Sequence, residues 1–296
     1  MNNIQLSKKY VPLLDEVYKK EETSSILNSN PKDIKMGANA GEFLVAKYTI
    51  DGPADYSRNS GYKNGDVSVS WETHQANYDR GRRFTIDTMD NEESEEIAFG
   101  KLAGEYARTK SAPEKDAFTY ATIAGYEGVE TTEETLETGD DVLAALIREQ
   151  NAMDEEEVNS ESRILFITST LLRNARNVEK TKSTGVLDEF SKIVEVPQKR
   201  FYTAIDLLDG SSTGETAGGY RKHTSTGGSD VAGKDINFMI VEKSAVIKSD
   251  KHTASDIIVP ENNPESDGYI QKFRKYGIVD LYENKVAGVR VSHKAN

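Results

Sequence analysis

No cysteine occurs anywhere in the 296 residues, so disulfides and thiolate-held metal centres are excluded. No run approaches the roughly 18 consecutive apolar residues of a membrane-spanning helix. Residues 1–10 lack the apolar stretch of a secretory signal. The expectation is a soluble chain made in a cytoplasm, with no membrane partner. Histidine is scarce: His74, His223, His252 and His293 are the only four, and no two are closer than the 29 positions between His223 and His252. That spacing offers neither a metal-ligand set nor a local acid–base pair. The one Gly-x-Ser-x-Gly spacing, Gly210-Ser-Ser-Thr-Gly214, falls in a Gly/Ser-rich stretch rather than between a strand and a helix. Positive charge is in deficit, 37 Lys plus Arg against 50 Asp plus Glu for a net of -13. Such a surface does not attract nucleic acid by counterion release. Any DNA kept near this protein is held by something other than affinity.

What is present is a succession of elements with little chemistry in them. Residues 1–36 read as an arm, with a short apolar patch (Val11, Leu13, Leu14, Val17, Tyr18) before the charged run Lys19-Lys-Glu-Glu22. Residues 42–50 read as a strand closed by Asp51-Gly-Pro53. Val67, Val69 and Trp71 then alternate with Ser68, Ser70 and Glu72, the period of a half-exposed strand. These limbs predict a long hairpin that closes at Asn64-Gly65, returns through Trp71, passes Arg80-Gly-Arg-Arg83 and ends in Phe84-Thr-Ile-Asp87. Carboxylates from Asp90 to Glu96 load the first turn of a helix. Its apolar stripe is Phe99, Leu102, Ala103 and Tyr106. Pro113 interrupts that rod before a helical pattern resumes through Phe118 and Ala121.

Beyond Gly125 the pattern alternates helix and strand, a separate mixed layer. Gly139-Asp-Asp141 is expected to cap a helix carrying Val142, Leu143, Leu146 and Ile147. Residues 163–168 read as a buried strand, and Ser169 opens another helix. Ile193-Val-Glu-Val-Pro197 is a strand ended by its proline. Residues 210–233 are rich in Gly and Ser, residues 236–241 form a strand, and residues 257–291 are β-rich. There is no internal repeat.

The candidate chemical motifs weigh toward structure. Gly228-Ser-Asp-Val-Ala-Gly233-Lys234-Asp235 has the glycine and lysine spacing of a phosphate loop, but Asp235 stands where Ser or Thr belongs and no strand precedes it. The clusters Glu92-Glu-Ser-Glu-Glu96 and Asp154-Glu-Glu-Glu157 are explained by helix capping and a solvated face. Arg80, Arg82 and Arg83, beside Tyr78 and Phe84, suit docking onto acidic helices of identical neighbours better than DNA binding. No catalytic, metal or cofactor residue is assigned. A hydrolase with paired acids is the rival enzyme reading, against which the missing histidine spacing speaks.

Three stretches resemble the major capsid proteins of tailed bacteriophages with the Hong Kong-type coat fold, in particular short siphophage forms from Gram-positive hosts. They are Tyr78-Asp-Arg-Gly-Arg-Arg-Phe-Thr-Ile-Asp-Thr-Met-Asp90, Pro113-Glu-Lys-Asp-Ala-Phe-Thr-Tyr120 and Ile236-Asn-Phe-Met-Ile-Val-Glu-Lys-Ser-Ala-Val-Ile-Lys248. The resemblance implies an α+β fold with an N-terminal arm (1–36), an extended loop and its base (37–87), a peripheral domain with a spine helix (88–139 and 246–296) and an axial domain (140–245). It implies pentamers and hexamers tiling an icosahedral shell in the virion, assembled in the host cytoplasm around DNA that is not read by sequence. Because the chain begins directly at the arm, a separate scaffolding protein is implied, together with a portal. Intersubunit contacts fall to Lys63, Trp71, Arg80, Arg82 and Arg83, and the core face of the spine to Phe99, Leu102 and Tyr106. Lys63 is the one candidate for a covalent cross-link between subunits. An encapsulin-type compartment shares the fold and is the alternative.

Overall fold

The computed structural model describes residues 22–30, 34–36, 41–59, 61–93, 102–225, 227 and 231–295. Among them β1 (Ile34–Met36), β2 (Glu42–Ile50) and β3 (Val67–Gln75) form a three-stranded antiparallel sheet, in which β2 and β3 pair over their full length from Glu42↔Gln75 to Ile50↔Val67. This is the predicted hairpin. Its reversal lies elsewhere than expected. Asp51 and Asp66 close the strand ends, and the chain turns back at a bridge between Ser57 and Gly61, with Gly61 at φ +74. Gly65 does not take a positive φ, which an Asn-Gly hairpin turn requires.

The larger correction concerns the arginine-bearing stretch. β4 (Tyr78–Asp87) is no part of the arm. It pairs in a second antiparallel sheet with β12 (Gly268–Leu281), which in turn pairs with β11 (Val246–Ile258). The period-2 pattern runs almost unbroken from residue 67 to 87, and only Ala76 and Asn77 separate the two strands. Asn77 redirects the chain: its side chain donates to the Val279 carbonyl at 2.7 Å and accepts from the Val279 N–H at 3.0 Å. The next strand is thereby tied to β12.

Two short helices follow, α1 (Thr88–Glu93), capped by Asp87 through the Met89 N–H at 2.9 Å, and α2 (Leu102–Tyr106). Phe99 lies outside the described residues. Pro113 does not break the rod. The helix passes through a π turn, Ala107–Ser111, in which the Ala112 N–H bonds the Ala107 carbonyl, and continues as α3 (Ala112–Ala124). A proline lacks the N–H and crowds the preceding turn; one widened turn accommodates both.

β5 (Glu130–Glu133) leads to α4 (Gly139–Glu155). Its cap is Thr138, one residue before the expected glycine: the Thr138 hydroxyl accepts from the Asp141 N–H and the Asp141 carboxylate accepts from the Thr138 N–H, a reciprocal box. Then come β6 (Arg163–Thr168), α5 (Ser169–Arg176), α6 (Lys180–Leu187), β7 (Lys192–Val196), the pair β8 (Ile205–Leu208) and β9 (Gly219–Lys222), β10 (Ile236–Glu242) and, at the chain's end, β13 (Val289–His293). The central sheet has the order β5-β13-β10-β6-β7. Strand β13 therefore belongs to the same sheet as β6 and β10, not to the peripheral sheet into which the sequence boundary at 246 placed it.

Alternation in the central strands divides the interior in two. Ile164, Phe166, Met239 and Val241 point to the side covered by α3, with Tyr120 and Ile123. Leu165, Ile167, Phe238 and Ile240 point to the side covered by α4 and α5, with Leu146 and Leu172. A smaller cluster, Phe43 and Val45 on Ile247 and Ile278, fastens the arm's base to β11 and β12.

Candidate assembly surfaces

The arm carries its apolar side chains in the open. Antiparallel partners share a face, so Ile50, Val67, Val69 and Trp71 line one side of the β2–β3 ribbon. They are 68%, 68%, 53% and 41% exposed. A two-stranded ribbon gains little in water from such a face. At the distal end Tyr56 and Tyr62 pack rings at 4.9 Å, and Lys63 is exposed beside them.

At its base the arm is tied down by charge as well as packing. His74 Nδ1 lies 2.8 Å from Asp280 Oδ2, and Nε2 is 3.9 Å from Glu72. The hydrogen bond to Asp280 outweighs partial burial and raises the imidazole pKa above its ordinary value, with Glu72 and Glu283 adding to it. Lys47 faces the same group, 2.5 Å from Glu72 and 3.9 Å from Glu283.

The structure places the three arginines on β4, each bonded within its own chain. Arg80 is half-buried: Nε is 2.7 Å from Glu114 Oε1 on α3, and Nη2 donates to the Leu208 carbonyl at 2.7 Å. It is a strut joining β4, α3 and the β8–β9 pair. Arg82 donates to the Thr216 carbonyl at 2.9 Å, and Arg83 meets Glu265 at 2.8 Å with both side chains more than half exposed. Of the expected spine face, Tyr106 stacks on Phe273 at 4.5 Å and meets Phe84 edge-on. Leu102 lies in α2.

Sequence reasoning missed a buried polar anchor for the N-terminal segment. Asp116 on α3 is fully buried. It accepts from the N–H and hydroxyl of both Thr23 and Ser24, all within 3.0 Å, and from Arg200 Nη1 at 2.8 Å. In effect it caps the 3-10 turn Thr23–Leu27 from outside. Beside it Lys248 Nζ, almost wholly buried, meets Glu22 at 2.5 Å and the Ser24 carbonyl at 2.9 Å. Burial alone would raise the Glu22 carboxyl, yet Lys248, Lys275 and Lys115 together hold it below the ordinary value. Lys115 is also fully buried, 3.0 Å from Asp250 and 4.1 Å over the Tyr78 ring; burial pushes its pKa down despite Asp250. The available signal was a carboxylate at 116 and a tyrosine at 120 on the same helical stripe as Ala117, Ile123 and Ala124.

Of the phosphate-loop lookalike, residues 228–230 lie outside the described residues; Lys234 pairs with Glu133, and Asp235 accepts from Lys222 at 2.7 Å. Asp154 and Glu156 pair with Arg163 and Arg290. Among the described residues no group of three or more His, Asp or Glu is placed to hold a metal ion, and no helix is long and apolar enough to cross a membrane.

No known protein family and no curated protein matches the chain by sequence. Solved structures do match. A protein in the capsid structure of the cyanophage P-SCSP1u superposes at TM-score 0.61 over 98% of this chain and 93% of its own, with 12% identity. This chain has the Hong Kong-type capsid fold. The capsid structure of Staphylococcus phage Andhra covers 100% of this chain and 88% of its own at TM-score 0.56 and 10% identity. The virus-like particle from Pyrococcus furiosus covers 92% and 98% at TM-score 0.51 and 13% identity. At such identities the capsid fold persists with few residues in common, so the placements above rest on this chain's own geometry.

Proposed function

We propose that the chain is the major head subunit of a tailed bacteriophage, a structural protein and not an enzyme, assembling as pentamers and hexamers into an icosahedral shell around double-stranded DNA. The observation that carries this reading is similarity to phage capsid structures along essentially the whole chain. The arm supports it: an exposed apolar face on a two-stranded ribbon is a liability in a monomer and an asset when an adjacent copy covers it. Heterologous contacts that close by rotation build the rings from which shells are tiled. In this reading the central sheet with α4 and α5 faces the capsomer axis, and the β4–β12–β11 sheet with the spine lies at the periphery. A scaffolding protein and a portal complete the assembly in the host cytoplasm. A short siphophage from a Gram-positive host is the finer reading. Similarity to the Pyrococcus furiosus particle favours a second one, an encapsulin-type compartment shell.

Co-expression with a scaffolding protein, followed by negative-stain microscopy, is expected to show closed shells. Particles that enclose a co-purifying enzyme would decide for the compartment, and a chain that stays monomeric would overturn both readings.

A further inference from the structure

Where the arm joins the body, the surface sinks into a groove of about 820 Å3 between β2, β3, residues 29–30, 35, 242–246 and 282–285, with Asn159 and Ser162 of the chain's own turn after α4 at its rim. Four lysines line it, Lys35, Lys47, Lys243 and Lys285, against one carboxylate, Glu242. The chain as a whole carries -13, so this is a positive island on a negative surface. Glu242 is occupied, accepting from the hydroxyls of Ser162 and Ser244 at 2.6 Å each. Lys47 is matched by Glu72, and Lys285 reaches the Ser244 hydroxyl at 2.9 Å. Lys35 and Lys243 have no carboxylate within ion-pair distance among the described residues. The chain's only tryptophan, Trp71, is part of the same lining, with Lys35 Nζ 4.2 Å over its ring. An exposed tryptophan with a cation over its ring, in a groove lined by further lysines, is the composition of an interface hot spot for an acidic partner.

The chain itself carries the complementary charge. Residues 127–161 hold thirteen carboxylates and one arginine, a net of -12 in a chain of -13. Several are matched at home: Glu134 by Arg148, Asp154 by Arg163, and Glu130 and Glu156 by Arg290. The turn that ends α4 keeps a surplus, with Glu155, Glu157 and Glu161 all exposed. Glu157 stands at φ +56, a left-handed value that no other non-glycine residue takes among those described. Glycine is favoured there after a helix, and the sequence keeps a carboxylate.

We propose that the acidic turn 155–161 of a second copy of this chain docks in the lysine groove, with Trp71 as its apolar anchor. This rests on the shell reading, which supplies the second copy. Copies that share a large negative charge repel at long range, and one local match of opposite sign sets both where they meet and in which register.

Because Trp71 is unique, its fluorescence reports the groove in the full chain without any need for shells. Titration with a peptide of residues 152–161 is expected to give a saturable spectral change, weakened about tenfold or more by K243E/K285E and by about 0.5 M salt. In light scattering, K243E/K285E and E155K/E157K should each associate poorly alone, and an equal mixture should recover wild-type association. A peptide that leaves Trp71 unchanged, single variants that associate like wild type, or a mixture that recovers nothing would each overturn the proposal. So would a response to an oligothymidylate with none to the peptide, which would assign the groove to nucleic acid. Failure of the shell reading looks different: wild-type chains never close into shells, while the peptide titration still answers for the groove.

Discussion

Asp116 has no exposed surface, and both its oxygens are filled: Oδ1 by Ser24, Oδ2 by Thr23 and Arg200. A buried carboxylate is tolerable only when so completely matched, and removing one member strands the rest. Asp116→Ala leaves Arg200 buried without its carboxylate and uncaps the turn at Thr23. The expected cost is about 3–5 kcal/mol, measured by urea unfolding of the unassembled chain. A loss under about 1 kcal/mol would mean that water enters and replaces the carboxylate. Only the carboxylate's place on the apolar stripe of α3 was legible in the sequence; its partners, 84 to 93 positions away in the chain, leave no local pattern. Trp71 and Tyr106 were legible, since their exposure and packing follow from strand and helix periods within a few residues.

At the scale of elements, the hairpin limbs, the buried strands at 163–168 and 236–242 and the proline-ended strand β7 follow the predicted periodicities. The misassigned β4 has a physical cause: a period of two says that a stretch is a strand and nothing of which strand it pairs with. The decision falls to Asn77 and the aromatic contacts of Phe84 with Phe273. The join between arm and body is also where pH enters. The groups facing His74 are Asp280 from β12, Glu72 from its own strand, Glu283 from the following turn and Lys47 from β2. Since the folded-state pKa is raised, the pair's stabilisation is complete below the unfolded value of about 6.5 and disappears as pH climbs through the raised one. Wild type should therefore lose stability relative to His74→Gln over the pH range that climbs from about 6.5 through the raised value, read as a converging difference in urea midpoints. A difference that stays constant across that range would exclude the ion pair as the tie.

For the whole molecule, the fold class was readable from the order of elements, although the chain shares only about a tenth of its residues with the structures it matches. On the shell reading, the chain has to satisfy contacts beyond itself, and exposed charges are where that shows. Arg83 and Glu265 are more than half exposed, and such a pair contributes at most about 1 kcal/mol. Arg82→Glu with Arg83→Glu should therefore leave the unassembled chain within about 1 kcal/mol of wild type and sharply lower the yield of closed shells. Undiminished shell yield from that double variant would remove both arginines from the intersubunit contacts. Arg80, wedged between Glu114 and the Leu208 carbonyl, belongs to the folding of the subunit.

Strand β13 lies between β5 and β10 in the central sheet, although it is the last strand in the chain. During synthesis β5 has no strand to pair with until residues 289–293 have been made, because β13 is its one strand partner among the described residues. The sheet thus keeps an interior gap until those residues are made, and long-range pairing of this kind forms late. A chain interrupted before residue 289 leaves β5 and β10 without the strand that lies between them, and on the shell reading it offers its neighbours an unfinished surface.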